Sequence, residues 1–423
     1  MKTLTVVSCS LVLGAAALTT GTFYAAKAVL APLPGEWSVP FQLGPIEVQA
    51  GVPSLIRLAT SSWGGPLLNG RTFDTPNGRL VLGWQADQQT MLLRCAPCTL
   101  QPPGLGQQPL RLAEVQASVR RLGETLSGEL ATGRVRGAWQ GQLTQGQLRL
   151  QLTIPATPLA DGYALFAPQI PELATARIGG QFSLQAQLSL PSGSLTVAPQ
   201  VEAFEVAGLG TEAFAGARTS CARGQRASRL TPDSWLARAA VAAEDQRFFE
   251  HQGYDLAELT SAVTRNQQAH RIERGASTLS QQLAKLLITG DERSPVRKLR
   301  EVLYAVEMER TLGKARILRL YLDNAPWGAN LCGAEAAAMR YFGVRAHELT
   351  PAQAAWLAAM LHNPVAEAQR WANSGQINLP RAQWVALALR GMSRAHKLAL
   401  AEAMTTMAWP PLWAEPKLGS DSN

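Results

Sequence analysis

At 423 residues the chain is long enough for two or three domains. Hydrophobic residues make up 46% and charged residues only 17%, which excludes long disordered tracts and supplies apolar surface for packed cores. The formal net charge of +8 is uneven: residues 36–215 carry 11 Lys/Arg against 12 Asp/Glu, and residues 216–423 carry 26 against 19. The basic half suits an anionic partner such as phosphate or a membrane surface. It suits nucleic acid poorly, because aromatics are not interleaved with the cations on a strand platform.

From Thr3 to Ala26 no residue is charged, a run long enough to span a bilayer as a helix. Lys2 and Lys27 flank it, so charge gives little orientation signal. A cleaved signal peptide is the competing reading, with Ala25, Ala26 and Ala28 near the cleavage point. The run exceeds a usual signal core, which favours a retained anchor over residues 1–34. Either reading exports the rest of the chain. Cys9 lies in this run, and Cys221 and Cys332 stand alone. Cys95 and Cys98 are spaced to close a small disulfide in an oxidising compartment. A thioredoxin-like motif would open a helix there, which Thr99 to Gly104, with Pro102 and Pro103, cannot do. Zinc lacks a second Cys or His pair at ligand spacing.

Residues 35–215 read as an exported β-rich domain. Arg134–Leu143, Gln147–Leu152 and Gln181–Leu190 alternate apolar and polar residues, the signal of half-buried strands. Gly and Pro punctuate at short intervals, as in antiparallel meanders. No catalytic constellation appears there, and a partner-docking role and a spacer role both fit. From about residue 216 the pattern turns helical. Thr231-Pro232-Asp233 reads as a helix start with Thr231 as N-cap. Thr350-Pro351-Ala352-Gln353 reads as a second, with a capping box.

Three motifs carry chemistry. In the first, an Ala-rich helix runs into Glu244-Asp245, followed by Phe248, Phe249, His251 and Gly253. Acids at a helix C-terminus oppose the helix dipole, a cost that suggests function. In the second, Gly275, Ser277, Thr278, Gln281, Gln282 and Lys285 open another helix and offer donors for sugar and phosphate oxygens. In the third, Arg293, Arg297, Lys298 and Arg300 form a cation set that would bind a pyrophosphate, with Glu301 beside them. A plain surface pair of Arg297 with Glu301 is the alternative.

These motifs, in this order, resemble those of the family 51 glycosyltransferases, the transglycosylase domains of class A penicillin-binding proteins and their monofunctional relatives. Lys314–Asp323 resembles the family's fourth motif, and Ala325–Gly328 with Gly333–Ala338 and Tyr341–Gly343 the fifth. The resemblance covers residues 232–366. Leu286, Arg319 and Asp323 stand where the family usually has Asn, Glu and Asn, and Ala276 and Ser280 replace a common Gly and Thr.

To the N-terminal transmembrane helix (1–34) and the β-rich domain (35–215) read from composition and periodicity, the resemblance adds a mainly α, lysozyme-like catalytic domain (216–423), so an α+β multidomain chain is expected. The implied substrate is lipid II, polymerised with inversion and release of undecaprenyl pyrophosphate. Glu244 would be the general base, supported by Asp245. Lys285, Arg293, Arg297 and Lys298 would meet the pyrophosphate, with Glu301 holding them or a divalent ion, Mg2+ or Mn2+, in place. Ser277, Thr278, Gln281 and Gln282 would contact sugar or phosphate oxygens, and His251 would order the loop. No organic cofactor is implied. The implied setting is the bacterial inner membrane, single-pass, with the catalytic part on the periplasmic side. Implied partners are the nascent glycan strand, the membrane and transpeptidases or other cell-wall synthesis proteins. Neither Ser-x-x-Lys nor Lys-Thr-Gly follows Pro364, so no transpeptidase domain is expected. The other readings are a catalytically impaired scaffold that binds lipid II and a lysozyme-like lytic enzyme.

Overall fold

The computed structural model describes residues 31–43, 46–100, 109–144, 146–216, 227–269, 275–292 and 294–409. The chain divides into two compact units. The first takes Met1–Phe166, Gln181–Glu202 and Asn266–Arg271, and the second takes Ala167–Gly180, Ala203–Arg265 and Ile272–Asn423. The expected anchor, with Cys9, lies outside the described residues except for its last four positions. Cys221 and Arg293 also lie outside them. Among the described residues no helix is long and apolar enough to cross a membrane.

The first unit is built on antiparallel β-structure. A hairpin of β1 (Ser38–Leu43) and β2 (Ile46–Gly51) leads into two short helices, α1 (Val52–Ala59) and α2 (Gly64–Leu68). The main sheet then uses β3 (Thr72–Thr75), β4 (Gly78–Gln85), β5 (Thr90–Leu100), β6 (Leu110–Leu112), β7 (Val115–Leu122), β8 (Thr125–Thr132), β9 (Val135–Leu143) and β10 (Leu148–Pro158). After α3 (Leu159–Ala164), β11 (Arg177–Leu190) and β12 (Ser194–Ala207) complete it. Its order is β12-β11-β10-β9-β8-β7-β5-β4-β3, with β6 on β5, the meander the alternating pattern predicts. Leu148 pairs with Leu143, Leu150 with Gly141 and Leu152 with Trp139. Leu126, Leu143 and Leu148 are buried at its centre with Trp139 and Leu150 packed against them. Cys95 and Cys98 are joined by a disulfide with Cα atoms 5.2 Å apart. The helices α1 and α2 were not expected: at eight and five residues they are too short to display a repeated helical period.

The second unit is helical: α4 (Trp235–Glu244), α5 (Leu256–Ala269), α6 (Leu279–Ala284), α7 (Pro295–Thr311), α8 (Gly313–Asn324), α9 (Ala334–Phe342), α10 (Pro351–Met360), α11 (Pro364–Ser374), α12 (Leu379–Ala388) and α13 (Arg394–Ala403). Small side chains let its central helices approach closely: Ala237, Ala239 and Ala240 of α4 and Ala354, Ala355 and Ala358 of α10 are all buried, and α4 packs on α10 and α12. Tyr341, Trp356 and Trp371 pack edge-on beside them. The expected capping box is present on α10, with Thr350 Oγ1 accepting from Gln353 N and Gln353 Oε1 accepting from Thr350 N. At α4 the expected start shifts. Ser234 is the N-cap, and Thr231–Ser234 forms a turn before it, because the Pro232 that fits a first helical position fits this turn equally well. Cys332, which reads as standing alone, is disulfide-bonded. The architecture of the described residues is α+β.

Candidate active site

Gly253 ties the first three motifs together. Its φ of +90° is one that residues with a Cβ rarely adopt, and a Cβ there would meet the Ala305 and Val306 backbone of α7 at 2.9–3.0 Å. Its carbonyl accepts from Thr278 Oγ1 (2.8 Å) and Gln281 Nε2 (3.0 Å). Thr278 also N-caps α6 by accepting from Gln281 N. Asp245 completes the clamp. It accepts from His251 Nε2 (2.9 Å) and from Leu279 N (2.9 Å), the first residue of α6. The acid that is unfavourable at the end of α4 therefore sits at the favourable end of α6. His251 Nδ1 accepts from Gly253 N (3.1 Å), so the ring is tied at both nitrogens. Asp245, His251, Thr278 and Gln281 thus spend these bonds on the shape of the site.

Glu244 is the last residue of α4, and its side chain is 13% exposed. Oε2 accepts from Gln282 Nε2 (3.2 Å), whose amide orientation is set by Tyr321 Oη donating to Gln282 Oε1 (3.0 Å). Oε1 is buried and, among the described residues, makes no hydrogen bond. Among the described residues the nearest cation is Arg381 of α12, with Nη2 3.6 Å from Oε1. Arg381 is held by its own Nε bond to the Ala359 carbonyl (3.1 Å) and lies over the Trp384 ring. Burial pushes the Glu244 carboxyl above its ordinary value, Asp245 adds to this, and Gln282 and Arg381 oppose it. A buried carboxyl with a raised pKa and one open oxygen is suited to take a proton near neutral pH.

Glu301 has the opposite environment. It is 2% exposed, Oε1 is bonded by Arg297 Nη1, and Oε2 is bonded by Lys298 Nζ (2.9 Å). Lys298 also donates to Ser277 Oγ. Its side chain is 37% open, yet burial of the ammonium, then Arg297 and Lys285, push it down to about 7. The Glu301 carboxylate opposes that shift by attraction. Lys285 pairs with the exposed Asp291 (2.8 Å). Arg300, counted in the cation set from sequence, is paired instead with Glu172 (2.6–2.9 Å). A divalent ion bound to Glu301 would have to displace Arg297 or Lys298, and no group of three His, Cys, Asp or Glu suited to a metal occurs among the described residues. With a cation already on each Glu301 oxygen, the donor set does not fit a directly held metal.

Residues 277–282 contact both ends of the site, Ser277 reaching Lys298 and Gln282 reaching Glu244. The family pattern described as Transglycosylase matches residues 223–389. The biosynthetic peptidoglycan transglycosylase of Cronobacter sakazakii is 43% identical over 169 residues, 39% of this chain and 69% of that protein. The chain belongs to the transglycosylase family. Proteins of the same name from Nitrosomonas eutropha (45% identical) and Azoarcus sp. (47% identical) match over 129 residues, 30% of this chain and 53% and 56% of theirs. The chain thus spans about half the length of these two relatives.

The departures from the family's motifs have structural places. Asp323 Oδ1 accepts from Ser228 N (2.9 Å) and Oγ (2.7 Å), fixing the segment before α4 to α8. Ser280 Oγ donates to Glu309, and Leu286 packs against the helical core. Nothing in the structure explains Arg319, whose Nε is buried and makes no hydrogen bond among the described residues. The sequence gives no sign that Arg381 and Tyr321 would neighbour Glu244 and Gln282. Arg381 lies beyond residue 366, within the matched region but in no recognised motif. Tyr321 lies in the fourth motif at helical core spacing, which conceals its hydroxyl's partner.

Proposed function

We propose that the second unit is a peptidoglycan glycosyltransferase that polymerises lipid II. The observation that carries this reading is the pairing, through residues 277–282, of an open-oxygen buried carboxyl with a cation set centred on Lys298 and Arg297. Glu244 Oε1 takes the proton of the acceptor's GlcNAc 4-hydroxyl as that oxygen attacks C1 of the donor's MurNAc. The C1–O bond to pyrophosphate breaks, the anomeric centre inverts, and undecaprenyl pyrophosphate leaves against Lys298 and Arg297. Gln282 and Tyr321 hold Glu244 in place, and Glu301 supplies the counter-charge that keeps the cations together. A lytic hydrolase needs one dominant acid and has no use for such a cation set. A fold of the lysozyme type, an anchor over residues 1–34, a periplasmic site and transpeptidase partners belong to the same reading. The test is incubation of the purified chain with labelled lipid II. Glycan polymer is expected, and its absence under permissive detergent and metal conditions would favour a scaffold.

A further inference from the structure

The face of α7 that carries Arg300, Tyr304, Glu307 and Thr311 is bound by residues upstream of the matched family region, which begins at 223. These positions fall at i, i+4, i+7 and i+11, one stripe of the helix. Glu172, on the turn Pro171–Ala174, is nearly buried; it forks the Arg300 guanidinium and accepts from Tyr304 Oη (3.3 Å). Burial raises the Glu172 carboxyl, but the Arg300 and Tyr304 bonds outweigh it and hold it below its ordinary value. Further along, Glu307, 1% exposed, accepts from Leu209 N (2.9 Å) and Thr211 N (3.2 Å), and the Thr211 and Thr311 hydroxyls are 2.8 Å apart. Arg310 donates to the Val206 carbonyl and Arg316 of α8 to that of Phe214. Gly208 joins the two upstream segments: its φ is +97°, and a Cβ there would lie 2.5 Å from the Thr175 carbonyl oxygen. A glycine is needed for residues 171–175 and 206–215 to act as one piece.

We propose that residues 171–175 and 206–215 form a positioning brace for the cation set, fixing the rotation of α7 so that Arg297, Lys298 and Glu301 present one pyrophosphate-binding face. The inference rests on the proposed function. Arg300 lies in the same first turns of α7 as Arg297, Lys298 and Glu301, and without Glu172 its guanidinium would be left uncompensated beside the cation set. A buried, forked ion pair whose second partner is removed leaves an uncompensated charge, so the helix must readjust. Glu172, Arg300 and Glu307 are therefore positioning residues that act through α7.

The test uses the full chain and inorganic pyrophosphate as probe, measured by calorimetry well below the melting temperature, beside polymerisation kinetics. Glu172→Gln should weaken pyrophosphate binding about ten-fold, the scale of coupling within one charged network. It should raise KM for lipid II by a similar factor while kcat falls less. Arg300→Lys, which keeps the charge and loses the fork, should move both readouts the same way and serves if Glu172→Gln does not fold. Glu244→Gln, at the other end of the site, should leave pyrophosphate affinity unchanged. A lowered melting temperature with pyrophosphate affinity and KM within two-fold of the parent would reduce the brace to a stability element and overturn the proposal. A parent that binds no pyrophosphate at millimolar concentration would also overturn it. A parent that binds pyrophosphate but makes no polymer would instead sink the glycosyltransferase reading and leave the brace standing.

Discussion

The end of α4 and the first turns of α7 each hold a buried glutamate, and the two are treated in opposite ways. Among the described residues, Glu244 receives one neutral amide bond, keeps Oε1 open, and has its nearest cation at 3.6 Å. Glu301 has a cation on each oxygen. Burial acts on both, but only Glu301 is compensated by direct ion pairs. In the proposed mechanism the first arrangement serves as the proton acceptor, and the second as a counter-charge that gathers Arg297 and Lys298. The difference shows that partners rather than burial assign the roles, as in other sites where two carboxylates are driven apart by their surroundings.

Neutralising each carboxylate tests this most directly. Glu244→Gln keeps the size and the Gln282 contact but cannot take a proton, so polymerisation should fall about a hundred-fold or more. The melting temperature should hold or rise, since a neutral amide is cheaper to bury than a carboxylate with one open oxygen. Glu301→Gln should cost activity and stability together. Removing one partner of a buried pair costs about 3–5 kcal/mol, because Arg297 and Lys298 lose their counter-charge. Calorimetric melting of both variants beside lipid II kinetics checks this. Equal stability loss at the two positions would erase the distinction.

What was legible in the sequence follows the range of the interactions. The Thr350 capping box closes within three residues and reads directly from sequence. The alternation of β9, β10 and β11 reads equally well, since each strand repeats its period several times. Glu244, Lys298 and Glu301 were singled out because their motifs stand in a known order. Arg300 was misassigned because its partner, Glu172, is 128 residues away in a segment that carries no catalytic pattern. Arg381 was missed because it meets Glu244 from a different helix, and a lone Arg at a helix start has many ordinary explanations. Pairings across the fold leave no local trace.

The pH profile sharpens the comparison further. The proposed mechanism requires Glu244 to be deprotonated and Lys298 protonated in the free protein. The kcat/KM profile should therefore fall on the acid side through a Glu244 pKa above the ordinary carboxyl value, and on the alkaline side as pH rises through about 7. Bound pyrophosphate favours the ammonium, so the alkaline limb of kcat should lie higher than that of kcat/KM. Lys298→Arg, which stays charged, should remove the alkaline limb. Arg381→Gln removes a cation that lowers the Glu244 pKa, so the acid limb should move to higher pH. Its rate on the acid side should fall below the parent's and recover as pH rises. An acid limb that stays in place would mean Arg381 only packs.

The smallest expected effect comes from Tyr321→Phe. The ring is buried, and its hydroxyl donates to Gln282 Oε1, which leaves Gln282 Nε2 facing Glu244. Phe keeps the shape and removes one of the two bonds that distinguish the ends of that amide, leaving the Nε2 bond to Glu244. A flipped Gln282 would turn its carbonyl toward the base and leave an N–H without its present acceptor. Losing a neutral hydrogen bond costs about 0.5–1.5 kcal/mol, roughly two- to ten-fold in rate if the cost falls on catalysis. Glu244 would also lose part of a bond that lowers its pKa, so the acid limb should move up, in the direction of Arg381→Gln but less far. Added to Arg381→Gln, the shift should grow, since the two residues act on different oxygens of one carboxylate. A Tyr321→Phe enzyme with an unchanged rate and an unmoved limb would show that Gln282 keeps its orientation unaided. The contrast between the two glutamates would then rest on burial, the Gln282 bond and Arg381, with no part played by Tyr321.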